Sequence, residues 1–214
     1  MKLVDIPVVF ICPSHNEKYL AREKHMHELL QAIGFKSITH YKSGCEAYPS
    51  CLVNATVDIL NKHMNDEPVI ILEDDIEMYR DLNSETLIDM PDDCDAFYLG
   101  FSKSGGSKTR NSHEGPSIVT HISDTHIRIL NMLCTHAIIY VSQRYKERVI
   151  KELNTIKEHV GYFNDVVIAR LHPEYKIYGY HYPFFYQSVK WGNVQHTENY
   201  TRYHYDIFFG YVQL

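Results

Sequence analysis

No stretch of this chain approaches the roughly 20 consecutive apolar residues that cross a bilayer, so the sequence predicts no membrane span. The opening Met-Lys-Leu-Val-Asp puts charge where a leader would carry its apolar core, so no signal peptide is visible and a cytoplasmic location is expected. Positive charge is scarce: 21 lysines and arginines stand against 27 acids, a net charge of −6. With no basic run interleaved with aromatics either, no nucleic-acid partner is expected. The five cysteines include no C-x-x-C pair, and an odd number with three in or beside apolar segments suits buried thiols in a reducing compartment. The 14 histidines are scattered, with no H-E-x-x-H and no Cys/His pairs at zinc spacing, so no structural zinc site is predicted. Repeats, low-complexity segments and clear linkers are also absent, and 214 residues can bury a full core. A single domain over residues 1–214 is expected. What is abundant is tyrosine, with 17 copies; these offer flat amphipathic surface to sugars or bases, or simply fill core and surface.

The first apolar run, residues 8–12, reads as a core strand stopped by Pro13. Ser14-His-Asn-Glu17 has the form of a capping box, and Met26, Leu29, Leu30 and Ile33 follow at helical spacing until Gly34 closes the helix. Residues 37–41 read as a second strand, and Val53, Val57 and Leu60 mark a second helix before residues 69–72. This β-α-β-α-β order predicts an α/β fold with a mixed, mostly parallel central sheet flanked by helices. Further strands are expected at 96–101 and 137–141, a hairpin from 117–121 and 127–133, a helix capped by Ser142, and a short helix after Asn164 and Asp165. Residues 102–116, rich in Ser, Gly, Lys and Arg, read as a loop, either a mobile lid or inert surface. The tail from Tyr178 reads as aromatic and irregular.

Residues 69–77, Val-Ile-Ile-Leu-Glu-Asp-Asp-Ile-Glu, carry the most information. Four apolar residues without a polar break predict a strand buried on both faces. Four carboxylates, Glu73, Asp74, Asp75 and Glu77, then fall within five positions. Such a cluster repels itself unless positive charge sits there, and carboxylate oxygens suit Mg²⁺ or Mn²⁺. Strand ends of open α/β sheets are also where ligands bind. The competing reading is a solvated acidic turn.

Leu72-Glu-Asp-Asp75 resembles the metal-binding signature of GT-A glycosyltransferases, a D-x-D or E-D-D element after a central strand. An ordered set of motifs extends the resemblance across residues 8–190. Ser43-Gly-Cys45 with Ser50, Ile71-Leu-Glu-Asp-Asp75, Tyr98-Leu-Gly100, Cys134-Thr-His-Ala137 with Val141-Ser142, Asp165, and Pro183 with Gln187 resemble glycosyltransferase family 25. The second motif of that family reads G-C-x-x-S-H, whereas here Gly44-Cys45 is followed by Glu-Ala-Tyr-Pro-Ser50. The chain also resembles a compact glycosyltransferase domain of a large chlorella-type virus, which would act on capsid glycans in the host cytoplasm.

The resemblance implies a Rossmann-like GT-A fold, a Mn²⁺ (or Mg²⁺) cofactor, a UDP-sugar donor and a glycan or glycoprotein acceptor receiving a hexose or deoxyhexose. Two metal registers overlap, Glu73 with Asp75 or Asp75 with Glu77, and His196 is a candidate third ligand. Glu73 and Asp74 can also reach the nucleotide, together with the loop of Pro13, Ser14 and Asn16. Arg22 or Lys42 is a candidate phosphate contact. Asp165 reads as a general base or acceptor contact, or as a helix cap in competition with Asn164. Trp191, the only tryptophan, is a candidate sugar platform or a core residue. The alternatives are a metal-dependent phosphohydrolase or nucleotidyltransferase, and a non-catalytic nucleotide- or carbohydrate-binding module.

Overall fold

Uninterrupted apolar runs become buried central strands. In the computed structural model, which describes residues 1–44, 49–65, 67–156, 163–191 and 210–211, β1 (Val8–Ile11) and β10 (Ala137–Tyr140) are buried along their whole length. β3 (Val69–Glu73) is buried up to its last residue. Around them run β2 (Ile38–Tyr41), β4 (Ile76–Met78), β5 (Ala96–Tyr98), β6 (Ser104–Gly106), β7 (His113–Pro116), β8 (Ile118–His121), β9 (His126–Asn131), β11 (Ile177–Tyr180), β12 (Phe185–Gln187) and β13 (Gly210–Tyr211). The helices are α1 (Glu17–Ile33), α2 (Ser50–Lys62), α3 (Gln143–Ile156) and α4 (Asn164–Ala169).

The main sheet has the order β13-β8-β9-β11-β5-β10-β3-β1-β2. Only β9 and β10 run against the other strands, so the sheet is mixed and mostly parallel, as expected. Strand alternation sorts the apolar side chains into two cores. Val9, Ile11, Val69, Ile71, Ile138 and Tyr140 face one side, with α2, α3 and α4. Val8, Phe10, Ile70, Leu72, Ala137 and Ile139 face the other, with α1. Among the described residues, no helix is long and apolar enough to cross a membrane.

Three local readings change. Helix α1 starts not at a capping box on Ser14 but at Asn16, whose side chain accepts from the Tyr19 amide at 3.1 Å. Ser14 sits at φ 54, its hydroxyl 3.3 Å from His40 Nε2 and therefore engaged away from the helix end. The region after Tyr178 is not irregular throughout, since it completes β11 and supplies β12. Gly179 disguises β11, but it is required: a Cβ there would lie 2.7 Å from the Phe101 ring. Residues 102–116 contain the β6–β7 hairpin, held at Gly106 by donation to and acceptance from the Asn131 side chain at 2.9 and 2.8 Å. Helix α3 begins as expected, the Tyr145 amide donating to Ser142 Oγ.

Two buried charges organise the amino end of the sheet. Lys146, fully buried on α3, donates to the carbonyls of His63, Asn65 and Glu67 at 2.7–2.9 Å, in the turn between α2 and β3. Asp95, just before β5, accepts both arms of the Arg144 guanidinium at 2.6 and 2.7 Å, the Ser142 hydroxyl, and the Lys176 amide at 2.8 Å.

Candidate active site

The carboxyl ends of β1 and β3 open into a cavity of about 530 Å³. It brings together residues far apart in sequence, among them Pro13, Lys18, Tyr19, Arg22, Glu73, Asp74, Asp75, Asp165 and Gln187. Lys18, Tyr19 and Arg22 come from α1. Asp74 and Asp75 form the turn between β3 and β4. β12 pairs antiparallel with β4, Gln187 opposite Ile76, which sets the Gln187 amide beside Asp75. Its Nε2 donates to the Asp75 carboxylate at 3.2 and 3.3 Å and to Glu73 Oε2 at 3.4 Å. The lead-in to β10 brings Thr135, whose hydroxyl donates to Glu73 Oε1 at 2.6 Å. Helix α4 adds Asp165 and Asn164 to the lining.

The sequence motifs before and after these strands acquire structural reasons. Gly100 lies against His136, where a Cβ would fall 2.0 Å from the imidazole, and the His136 carbonyl accepts from the Glu73 amide at 2.9 Å. Thus Tyr98-Leu-Gly100 and Cys134-Thr-His-Ala137 together set the acidic strand end in place. Cys134 lines the cavity, but burial holds its thiol far above the usual range, which argues against a thiolate nucleophile.

The electrostatics of the cavity are unbalanced. Burial first, and then the Asp75 charge, push the Glu73 carboxyl up to about 8, with Thr135 working against the rise. Burial and Asp74 raise Asp75 to about 6. Asp165 is raised by burial, in spite of the Val166 amide donating to its Oδ1 at 2.8 Å. Asp74 is raised by burial as well, although Arg22 Nη1 donates to its Oδ1 at 2.7 Å. Arg22 is thus committed to Asp74, and the Lys18 ammonium lies 5.8 Å from the centre of the Tyr19 ring. Asn164 Nδ2 lines the same space, buried and without a hydrogen-bond partner among the described residues.

Several expected site residues lie elsewhere. Glu77 does not line the cavity: its Oε1 accepts from Trp191 Nε1 at 2.8 Å and lies 3.6 Å from His25 Nε2 and 3.8 Å from Lys190 Nζ. Of the two metal registers, Glu73 with Asp75 is the one whose members both line the cavity, while β4 carries Glu77 to a cationic and aromatic setting of its own. Trp191 stacks on His25 at 4.7 Å and does not line the cavity. Of the loop, Pro13 lines the cavity, whereas Ser14 is held by His40 and Asn16 caps α1. Lys42 is not among the lining residues. Asp165 is not a cap, since the position before α4 is Phe163 and neither Asp165 nor Asn164 closes the helix start. His196 falls outside the described residues. Sequence reasoning missed Lys18, Tyr19, Thr135 and Asn164. The first two lie about one helical turn from Arg22 and were accessible from helical periodicity; Thr135 was seen only as part of the Cys134-Thr-His-Ala137 motif, and Asn164 only as a candidate cap.

The donor set fits a hard divalent cation. It is all oxygen, and its members are raised toward protonation by burial first and by their like charges, with Arg22 only partly opposing the rise. Mg²⁺-type ions are commonly held by one or two carboxylates plus substrate phosphates, so Glu73 and Asp75 suffice for the protein's share.

No protein-family model matches this chain, and no curated protein sequence does. The family 25 resemblance therefore rests on the ordered motifs alone. Among solved structures, the CTP:phosphocholine cytidylyltransferase of Streptococcus pneumoniae is similar over 87% of this chain and 96% of its own, at 8% identity and a TM-score of 0.48. A glycosyltransferase involved in glycosylation of the major capsid of PBCV-1 is similar over 82% and 93%, at 9% identity and a TM-score of 0.44. The fold itself is read from the sheet, a mixed, mostly parallel α/β arrangement flanked by helices. Likenesses of this size leave the activity to be argued from the cavity.

Proposed function

We propose that this protein is a metal-dependent glycosyltransferase that moves a hexose or deoxyhexose from a UDP-sugar to a glycan or glycoprotein acceptor. The observation that carries the reading is the meeting of Glu73, Asp75 and Asp165 on one cavity, each with its carboxyl raised by burial. Glu73 and Asp75 would hold Mn²⁺ or Mg²⁺. When bound, the ion supplies Lewis-acid stabilisation of the charge that grows on a diphosphate leaving group. The protein's residues take the remaining tasks. Tyr19 offers a flat face near the end of β1 for the base, and Lys18 adds positive charge for phosphate. Asp165 accepts the proton of the acceptor hydroxyl; a raised carboxyl is the better base near neutral pH. Asn164 Nδ2 supplies a donor for the acceptor or the sugar.

The test is thermal stabilisation by UDP with and without Mn²⁺, followed by product analysis. Stabilisation should follow RT ln(1 + [L]/Kd) and require the ion. Equal stabilisation by UDP in EDTA and in Mn²⁺ overturns the metal site. Release of pyrophosphate from a nucleoside triphosphate, in place of UDP from a UDP-sugar, would instead identify a nucleotidyltransferase using the same carboxylates.

A further inference from the structure

Glu23, His27 and His40 lie apart from the acidic strand ends and place three metal-ligating atoms within 4.8 Å of one another. Glu23 and His27 are one turn apart on α1, at the i,i+4 spacing that puts side chains over one another. His40 comes from β2, the edge strand of the sheet. Phe10 forms the floor: His40 stacks on its ring at 4.7 Å and 3°, and His27 meets it edge-on at 5.0 Å and 90°.

The hydrogen bonds of His40 decide what the group can do. Its Nε2 lies 3.0 Å from the Cys12 carbonyl, which can only accept, so Nε2 carries the proton. A neutral imidazole then turns the lone pair of Nδ1 toward Glu23 Oε1, 3.3 Å away. Two acceptors at that distance require positive charge between them. A proton on Nδ1 would satisfy this pair, but it leaves unexplained why His27 converges on the same point. A zinc-class ion accounts for all three: ligands at about 2.0–2.2 Å in tetrahedral array stand roughly 3.4 Å apart, close to the separation already present between Glu23 and His40. Donation of the other imidazole nitrogen to a backbone carbonyl is also the usual outer support of a metal-bound histidine.

We propose that Glu23, His27 and His40 form a second cation site, for a zinc-class transition-metal ion, that clips helix α1 to the edge strand β2. The ion would take two imidazole nitrogens and one carboxylate, with water completing its shell. Its consequence reaches the cavity through two paths. His40 contacts both the Cys12 carbonyl and the Ser14 hydroxyl, at the loop that enters α1. Helix α1 also carries Lys18, Tyr19 and Arg22 on the cavity wall. The clip therefore holds the wall and loop in place without touching substrate, and it stands whether or not the enzyme is a glycosyltransferase.

The experiment uses the full chain, stripped with chelator and titrated with Co²⁺ for its visible spectrum and with Zn²⁺ for Tm. The parent should bind Co²⁺ with the absorption of a low-coordinate nitrogen and oxygen site, and its Tm should rise with Zn²⁺. His27→Gln and Glu23→Gln should each abolish the cobalt bands and the zinc-dependent rise. Asp75→Asn should retain both, which separates this site from the carboxylates at the strand ends. His27→Cys preserves a ligand and should add a thiolate-to-cobalt charge-transfer band; it decides the matter if the glutamine variants prove unstable without metal. Parent-like cobalt spectra and zinc shifts in both glutamine variants would overturn the proposal, as would a parent that shows neither response or a cysteine variant without the new band.

Discussion

The two ends of the central sheet both bury charge, but they treat it in opposite ways. At the amino end, Asp95 and Lys146 have every demand met, one by Arg144, Ser142 and the Lys176 amide, the other by three carbonyls. The Asp95 carboxyl is held below its ordinary range, because these partners together outweigh a burial effect that acts the other way. At the carboxyl end, Glu73, Asp75 and Asp165 are raised, and Thr135 and one shared amide from Gln187 do not neutralise them. A buried polar group that is satisfied serves the fold. One left short among like charges is where function is to be sought. Removing a charge should therefore harm stability at one end and activity at the other.

The largest effect is expected from Asp75→Asn. Transfer in Mn²⁺ should fall by roughly 10³-fold, the scale of losing a preorganised electrostatic contribution at the reacting charge. Tm without metal should hold or rise slightly, since one member of a repelling set has lost its charge. Sugar transfer at the parent rate would break the contrast at its functional end.

Lys146→Met is the matching change at the other end. Methionine fills much of the lysine stem's volume but leaves three carbonyls without their shared donor. A loss of about 3 kcal/mol is expected, or about 10 °C in Tm for a domain of this size. UDP and Mn²⁺ binding at a temperature where the variant is folded should be unchanged. A near-neutral Tm would mean that the amino end is no better satisfied than the site.

How far each end was legible in the sequence follows the same division. Apolar runs declared β1, β3 and β10, and the acidic cluster declared the strand end, because both signals are contiguous. Lys146 was invisible, since a lysine on a helix reads as surface until the carbonyls it serves are folded against it. Glu77 stands apart from Asp75 because sequence adjacency says nothing of a turn followed by a strand that carries it to Trp191. Ser14 was read as a cap because the pattern fitted, while its hydroxyl answers to His40, across the fold. Strand β11 was hidden by the glycine that makes room for Phe101. Adjacent residues announced the carboxylates at the end of β3; their hydrogen-bond partners, Thr135 and Gln187, arrive through long-range pairing.

A smaller effect should come from Asp165→Asn. Asp165 does not cap α4, so asparagine should cost little stability. Loss of general-base catalysis predicts roughly a 10²-fold drop in transfer, with UDP and Mn²⁺ affinity unmoved because the residue would meet the acceptor. Full turnover in this variant removes Asp165 from the chemistry and confines the proposed site to Glu73 and Asp75.

The smallest effect is a slope, and its sign is the sharpest test of the comparison. Glu73 moves from an ordinary value of 4.5 to about 8 in the fold. Between those values the unfolded chain gives up this proton while the folded chain keeps it, so stability falls as pH rises and levels off above about 8. Asp95 works in the other direction: lowered in the fold, it contributes stability above its unfolded value of 3.8 that is lost only as pH drops through its folded value. Its contribution is therefore flat near neutrality. The buried histidines His136 and His172, each lowered from 6.5 to about 3, add stability as pH rises through that interval and stop changing above 6.5. From pH 6.5 to 8 the raised acid at the strand end thus stands clear of Asp95 and of both buried histidines. Tm in EDTA should decline across that window, and Glu73→Gln should flatten the decline. Saturating Mn²⁺ should reverse it, because a metal binds the ionised carboxylates and its stabilisation grows as their protons leave. Asp95→Asn should lower Tm at every pH in the window while leaving the slope intact. A metal-free Tm that is level from pH 6.5 to 8, or a slope unchanged in Glu73→Gln, would show that the carboxyl end is as well satisfied as the amino end.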